Sequence, residues 1–245
     1  MDRKQKTIMA VGAHIGDVQL TCGLLLAKHA MAGDKVVIVN LTAGERGTPQ
    51  GMATEDFRVK NIADAKAFAE TLGGIDITLD TPDGELVHSQ DAAITLADIM
   101  REYAVDTVLG HWKSSLHKDH IAAYQLTVDA IFFASLPTFE RPIFDTQSGC
   151  LIGKKPPAPI HGIYYAENWE DAEGFEPYIF VDVTEAFPLW RDAVKKLWLT
   201  ENSRDFKYLR YYEALSIMRG ALIRRDHAVA LGVDAYARRH VQPYV

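Results

Sequence analysis

The chain has few cysteines, no long apolar segment and no run of basic residues. Only Cys22 and Cys150 occur among 245 residues, and so few thiols are typical of a protein of the reducing cytoplasm. No stretch of about 20 apolar residues is present, so no transmembrane helix is expected. The net charge of −7, without a cluster of Lys or Arg, disfavours a nucleic-acid or anionic-membrane partner.

Short apolar runs alternate with longer amphipathic runs through the first half of the chain. Strands are predicted at Thr7–Val11, Lys35–Leu41, Ile75–Leu79 and Val105–Leu109, and helices at Asp17–Ala32, Thr54–Leu72, Asp91–Tyr103 and His120–Ala134. This alternation is typical of right-handed βαβ units, in which helices cover both faces of a parallel sheet. We therefore expect an α/β fold, a Rossmann-like three-layer sandwich with a mostly parallel sheet.

The second half of the chain is less regular. A proline-rich segment over residues 137–162 is predicted to be a surface excursion. Further strands are predicted at Ile163–Tyr165 and Ile179–Asp182, and further helices at Pro188–Glu201, Tyr208–Arg225 and Asp234–His240. With no clear linker or repeat, we expect a single domain over residues 1–245. It would consist of a Rossmann-like half, 1–135, and an elaborated half, 136–245.

Two polar clusters follow predicted strands. Gly12–Asp17 follows the first strand, and His117–His120 comes soon after the fourth. Ligands of open α/β sheets bind beyond the carboxyl ends of the strands, where the strand order reverses. If the strand order is 3-2-1-4, the first and fourth strands are neighbours and the two clusters converge.

The clusters together contain the ligand types of a catalytic zinc site. His14 and Asp17 are three residues apart at a loop-to-helix junction and share one helical face. His120, at the start of the later helix, offers a third ligand. Two imidazoles and a carboxylate suit zinc with an open position for water, and they also suit other divalent metals. Taken singly, each cluster has a competing interpretation, as a hydrogen-bonded loop or a solvated helix start.

At these residues the chain resembles the PIG-L/LmbE-like family of zinc-dependent N-acetylglucosaminyl deacetylases. The segment Ala13–Gln19 is similar to the family motif Ala-His-Pro-Asp-Asp, which is followed by any residue and Glu. His117–His120 is similar to His-Pro-Asp-His, and Leu41–Gly47 to Leu-Thr-x-Gly-Glu-x-Gly. Arg58 matches a family arginine, and Gly232–Ala237 matches a C-terminal small-residue signature. The resemblance spans nearly the whole chain.

The resemblance implies roles for five residues. His14, Asp17 and His120 match the metal ligands. His117 matches the histidine that stabilises the oxyanion, and Asp119 matches the carboxylate that orients or tunes it. The family hydrolyses N-acetyl groups of glucosamine-containing compounds, so the implied substrate is an N-acylated sugar or glycoside. The family also implies a homo-oligomer, a trimer or hexamer.

The match fails at the residue that acts as general base in the family. Gly16 stands in place of the first Asp of the Asp-Asp pair, and Gln19 in place of the Glu. A general base contributes typically 10²–10⁴-fold, so its loss without replacement predicts a slow hydrolase. Three explanations stay open. Asp119, Glu45 or His117 serves as base; the metal supports a different reaction through Lewis acidity alone; or the protein binds a ligand without converting it.

Four further residues are candidate substrate contacts. Glu45 and Arg46 lie in the glycine-flanked loop after the second strand, Arg58 lies early in a helix, and Trp112 follows the fourth strand. The competing interpretation is a solvated turn for Glu45 and Arg46, a surface salt bridge for Arg58, and core packing for Trp112. The leading hypothesis is a cytoplasmic metal-dependent N-deacetylase that acts on an amino sugar or glycoside. The alternative is a non-catalytic metal- or sugar-binding protein on the same scaffold.

Overall fold

The computed structural model describes residues 4–144 and 149–235. The strands are β1 (Thr7–Gly12), β2 (Lys35–Thr42), β3 (Ile75–Thr81), β4 (Thr107–Gly110), β5 (Arg141–Phe144), β6 (Leu151–Lys155), β7 (Gly162–Ala166), β8 (Ile179–Asp182) and β9 (Ala228–Gly232). The helices are α1 (Asp17–Thr21), α2 (Gly23–Met31), α3 (Thr54–Thr71), α4 (Gln90–Glu102), α5 (Lys118–Ser135), α6 (Phe187–Val194), α7 (Trp198–Asn202) and α8 (Tyr208–Leu222). No helix among these elements combines the length and hydrophobicity that crossing a membrane requires.

Seven strands form one central sheet in the order β3-β2-β1-β4-β7-β9-β8. Strand β1 pairs in parallel with β2 on one side and with β4 on the other. The parallel pairing continues from β4 to β7, and β9 then runs antiparallel to both β7 and β8. The expected order 3-2-1-4 is thus confirmed, so the carboxyl ends of β1 and β4 lie side by side.

The two faces of the sheet belong to two hydrophobic clusters. Along β1, Ile8 and Ala10 belong to one cluster, while Met9 and Val11 belong to the other. All four are almost fully buried, because successive side chains of a strand point to opposite faces and helices cover both. The alternation confirms the predicted α/β three-layer architecture.

Two predicted helices are each divided in the structure. The helix predicted over 17–32 is interrupted at Cys22 and forms α1 and α2. The helix predicted over 188–201 forms α6 and α7, with a break around residues 195–197.

The proline-rich segment and the C-terminal region also differ in detail from the prediction. The segment 137–162 contains a two-stranded antiparallel hairpin, β5 and β6. Strand β9 was not predicted, because a short Ala-Val-Ala-Leu-Gly run has neither polar alternation nor a distinctive β-branched pattern. Residues 236–240 of the predicted C-terminal helix lie outside the described residues. The division of the domain at residues 135 and 136 stays a prediction.

Replacing Trp190 with Phe is expected to lower the free energy of unfolding by about 2–4 kcal/mol. The Trp190 side chain is fully buried, and its Nε1 donates to the backbone oxygen of Gln19 at 2.9 Å. The change leaves a cavity and an unpaired carbonyl group. Urea denaturation followed by circular dichroism measures the loss. Leu222→Ala is the control, since the Leu222 side chain is 63% exposed and should change stability by no more than about 0.5 kcal/mol.

Candidate metal centre and its cavity

The two polar clusters meet at the adjacent carboxyl ends of β1 and β4. Asp17 begins α1, and its Oδ2 accepts a hydrogen bond from the backbone N–H of His14 at 2.8 Å. The same oxygen lies 3.3 Å from His14 Nδ1 and 3.4 Å from His120 Nε2. The structure therefore brings together the three residues predicted to hold a metal, with one nitrogen of each imidazole facing the carboxylate.

The other nitrogen of each imidazole faces a different carboxylate. His120 Nδ1 lies 2.9 Å from Asp171 Oδ1, and His14 Nε2 lies 3.1 Å from Asp83 Oδ1. When Asp171 and Asp83 accept the ring N–H groups, His120 Nε2 and His14 Nδ1 are left with their lone pairs towards Asp17. Carboxylates that fix the tautomer in this way are the usual outer partners of metal-bound histidines. The donor set therefore fits a divalent cation.

The carboxylates and imidazoles of the centre shift one another's pKa values towards the charged forms. Burial alone would lower the pKa of His14, but the carboxylates of Asp17 and Asp83 raise it to about 11. Burial opposes ionisation of Asp17, yet the imidazoles of His120 and His14 hold its pKa well below the usual range. A buried acid that stays ionised among imidazoles is a strong attractor for a cation.

His111 is a member of the centre that the sequence analysis did not assign. Its Nε2 lies 3.3 Å from Asp17 Oδ2 and accepts the backbone N–H of Ala13 at 3.0 Å. Its Nδ1 lies 2.9 Å from Asp171 Oδ2, so one carboxylate binds both His111 and His120. Because Ala13 already uses the Nε2 lone pair, His111 supports the centre rather than completing the ligand set. Its position directly after β4 was the available signal.

His117 stands at the rim of the centre with one nitrogen committed. It is the N-cap of α5, where its Nδ1 accepts the backbone N–H of Asp119 at 3.2 Å. Neutral His117 therefore carries its proton on Nε2. Partial burial, together with the nearby imidazoles of His14 and His120, lowers its pKa and favours that neutral form. His117 is thus a hydrogen-bond donor and is not available as a base at Nε2.

The carboxylate of Asp119 faces His14 rather than the His117 ring. It is fully buried, with Oδ2 at 3.3 Å from His14 Nε2 and accepting the backbone N–H of Gly84 at 2.8 Å. Its Oδ1 accepts from Lys118 Nζ at 3.0 Å. Both oxygens are therefore engaged in holding the centre.

The backbone conformation at Gly16, where the resemblance implies a general base, disfavours a side chain. Gly16 has φ +113°, a conformation that side-chain-bearing residues rarely adopt. A Cβ placed on Gly16 would lie 2.5 Å from Leu199 Cδ2 of α7. A side chain at position 16 would therefore need a strained backbone and a shift of the Leu199 side chain.

The predicted substrate contacts are mostly engaged with one another or with the core. Glu45 is buried and accepts the backbone N–H of Asp83 at 2.8 Å, while Arg58 lies between Glu45 and Asp80. Arg46 pairs with Glu85 on the surface. Trp112 is also buried, where its ring packs against Tyr165 and Phe175 and its Nε1 donates to the Glu173 carbonyl. None of these four side chains lines the cavity described next.

A cavity of about 380 Å³ opens directly onto the metal centre. The imidazoles of His14, His117 and His120 form its floor. Its walls are largely aromatic and come from α3, α7, α8, the loop before α8 and the turn after β7: Phe57, Trp169, Trp198, Phe206, Tyr208 and Tyr212. No Lys or Arg is among the described residues that line it. Four carboxylates, Asp17, Asp83, Glu170 and Asp205, also line it, so the cavity disfavours an anionic ligand, and its aromatic walls suit a ring or apolar group that stacks on them.

A larger groove of about 670 Å³ lies elsewhere, between α2 and the turn after α8. It is lined by Lys28, Asp182 and Arg225, among others, and contains no imidazole or thiol. The smaller cavity is therefore the candidate active site.

The family is identified by a match over residues 9–131 to the PIG-L family, described as GlcNAc-PI de-N-acetylase. That segment covers half of the chain and contains the metal-centre residues His14, Asp17 and His120 together with His117. The chain belongs to the PIG-L family. Membership of this family, with relatives described as deacetylases, supports a hydrolytic enzyme.

Relatives of different activity match most of the chain. It is 27% identical over 234 residues to a 4-oxalmesaconate hydratase from Pseudomonas putida, covering 92% of this chain and 84% of the relative. It is 27% identical over 196 residues to a diacetylchitobiose deacetylase from Thermococcus kodakarensis, covering 78% and 68%. The solved N,N′-diacetylchitobiose deacetylase of Pyrococcus horikoshii superposes with a TM-score of 0.77 at 19% identity, covering 98% and 87%. That likeness confirms the fold.

Asp171→Asn is expected to weaken binding of a divalent cation by about 10–100-fold. An amide cannot accept from both His111 and His120 as the carboxylate does, so the two rings lose their fixed tautomers. Isothermal titration of zinc into the purified protein measures the change. Asp129→Asn is the control, because Asp129 pairs with a surface histidine away from the centre. Unchanged zinc affinity in Asp171→Asn would contradict the assigned support role.

Gly16→Asp is expected to destabilise the fold and not to create an efficient base. The new side chain meets Leu199 and needs a strained backbone, which costs on the order of 1–3 kcal/mol. Thermal unfolding measures the loss, and adding Leu199→Ala should recover part of it by removing the collision. A stable Gly16→Asp single variant with at least tenfold higher hydrolytic rate would contradict the interpretation that this backbone disfavours a side chain.

Proposed function

We propose that this protein is a divalent-metal-dependent, most simply zinc-dependent, amide hydrolase that removes an N-acetyl or related N-acyl group. The observation that carries the proposal is the convergence of His14, Asp17 and His120 on one point, with His117 beside them in the same cavity. Two imidazoles and one carboxylate leave room for water and for a substrate oxygen.

A divalent cation held by these ligands would lower the pKa of a water molecule and polarise the acyl carbonyl group. The protein's own side chains would stabilise the oxyanion. His117, neutral and protonated at Nε2, is placed to donate a hydrogen bond to the oxyanion that forms as the carbonyl carbon is attacked. Asp171 and Asp83 keep the imidazoles of His120 and His14 in the tautomers that this arrangement needs.

The walls of the cavity indicate a ring-bearing substrate without negative charge. Aromatic side chains stack on the faces of sugar rings and on apolar aglycones, and six of them surround the cavity. An N-acylated amino sugar or glycoside has this character, and the Thermococcus relative is named for a diacetylated disaccharide. A cytoplasmic homo-oligomer remains part of the proposal.

Hydration of an unsaturated carboxylate is the second candidate function. It is favoured by Gly16, which stands in place of the base expected for a deacetylase, and by the hydratase relative that matches 92% of the chain. The absence of Lys and Arg among the described lining residues counts against a multiply charged carboxylate. The same metal centre would activate water for either reaction.

The two functions are distinguished by one pair of assays on the zinc-loaded protein. Acetate release is measured from a panel of N-acetylated mono- and disaccharides, and loss of ultraviolet absorbance is measured with 4-oxalmesaconate. Acetate release that is abolished by removing the metal with a chelator supports the amide hydrolase. Turnover of 4-oxalmesaconate alone would replace it with the hydratase, and turnover of neither would reject both.

His117→Asn is expected to lower kcat by about 10²–10³-fold, since it removes the donor to the oxyanion. Asparagine remains a good N-cap, so α5 keeps its start and the fold is preserved. Steady-state kinetics of acetate release measures the effect. His88→Asn, which changes a surface histidine paired with Asp129, is the matched control. A His117→Asn variant with native kcat would show that another group stabilises the oxyanion.

A further inference from the structure

The carboxylates considered as replacements for the missing base are either engaged or outside the cavity lining. Asp119 is fully buried, with both oxygens hydrogen-bonded or ion-paired. Glu45 uses only Oε1, to accept the backbone N–H of Asp83, and its Oε2 lies 3.9 Å from Arg58 Nη1, but Glu45 is not among the cavity-lining residues. Asp83 itself faces His14 Nε2 at 3.1 Å. A proton acceptor for the attacking water must therefore come from another part of the cavity wall.

Two described cavity-lining carboxylates, Glu170 and Asp205, lack such an engagement. Asp205 is exposed, whereas Glu170 is partly buried. Glu170 lies in the short 3-10 turn Trp169–Asp171 that follows β7. It is next to Asp171, whose carboxylate pairs with His111 and His120. Within the described part of the chain, the Glu170 carboxylate makes no hydrogen bond or ion pair. A partly buried carboxylate that lines the cavity of the metal centre and makes no hydrogen bond is available for proton transfer.

The backbone of Glu170 is held on both sides. Its N–H donates to Asn168 Oδ1 at 3.4 Å, and its carbonyl accepts the N–H of Leu116 at 3.0 Å. Asn168 is buried and accepts in turn from the Tyr212 hydroxyl at 2.9 Å. Contacts with α8 and with the loop that precedes α5 therefore hold the turn in place. These contacts fix the backbone from which the Glu170 side chain extends.

We infer that the Glu170 carboxylate accepts and returns the proton in this cavity, in place of the side chain that Gly16 lacks. The assignment rests on the proposed amide hydrolysis. As the water oxygen bonds to the acyl carbon, Glu170 takes a proton from the water and the carbonyl π pair moves to the oxygen beside His117. The C–N bond then breaks, the proton passes from Glu170 to the leaving nitrogen, and a carboxylic acid and an amine result.

The surroundings of Glu170 agree with this role. Burial raises its pKa, offset in part by the imidazole of His120. The titratable groups that act on it or respond to it are the described residues Asp17, Asp171, His14, His120, Tyr208 and Tyr212. A base whose pKa lies closer to neutrality transfers protons more efficiently in both directions.

The test compares Glu170→Gln and Glu170→Asp with native protein in the zinc-loaded state. The probes are the N-acetyl sugar that gives the fastest acetate release and 4-nitrophenyl acetate, an activated ester. Glu170→Gln is expected to lower kcat by about 10²-fold or more, with KM changed less than threefold. The rise of native kcat with pH as Glu170 loses its proton should disappear. Glu170→Asp should recover part of the rate and of the pH dependence.

The control is Glu173→Gln, three residues along the same loop and outside the cavity, which should keep native kinetics. Zinc affinity of Glu170→Gln, measured by titration, should stay within threefold of native, which separates proton transfer from loss of the metal. A Glu170→Gln variant that keeps native kcat and pH profile overturns the assignment while the hydrolase proposal stands. Hydrolysis of only the ester rejects N-deacylation, and the assigned transfer of a proton from Glu170 to a leaving nitrogen falls with it. Turnover of neither probe rejects both.

Discussion

One oxygen of the Asp17 carboxylate organises the whole centre. It accepts the backbone N–H of His14 and lies within 3.4 Å of nitrogens from His14, His111 and His120. His14 follows β1, His111 follows β4, and His120 lies in α5. About 100 residues of chain separate His14 from the other two. The parallel pairing of β1 with β4 is what brings them together. The buried charge of Asp17 is compensated there by imidazoles, or by a cation that takes their protons' place.

Asp171 extends this arrangement to the second half of the chain. It is fully buried, and its two oxygens bind His111 and His120 separately, each at 2.9 Å. The imidazoles hold the pKa of Asp171 far below its usual range, against the effect of burial. Because Asp171 follows β7, the second half of the chain contributes a hydrogen-bonding partner to a centre whose candidate ligands, His14, Asp17 and His120, all lie in the first half. The two halves of the chain are therefore joined at the site as well as through the shared sheet.

The convergence of His14, Asp17 and His120 could be predicted from the sequence, but the positions of the carboxylates around them could not, and the reason is physical. His14, Asp17 and His120 lie in short motifs that follow strands, so their convergence depends only on a strand order common to this class of sheet. Asp171, Asp83 and Glu170 lie in loops without a motif, and their positions depend on how β3 and β7 flank the central pair. Trp112 is a comparable case, because its type fits a sugar wall and a buried core equally well until packing is known.

The replacements at Gly16 and Gln19 are linked through a buried hydrogen-bond chain. Gln19 Oε1 accepts the Gly16 N–H at 2.9 Å, and its Nε2 donates to Asn40 Oδ1 at 3.0 Å. Asn40 then donates to Asp76 at 2.8 Å. A glutamate at position 19 would be fully buried and would lack the N–H that Asn40 accepts, which is costly in a dry interior. The amide of Gln19 therefore suits this chain, because it can accept from Gly16 N–H and donate to Asn40 at the same time. The packing under the cavity thus keeps position 16 without a side chain, and the proposed proton acceptor, Glu170, comes instead from the turn after β7.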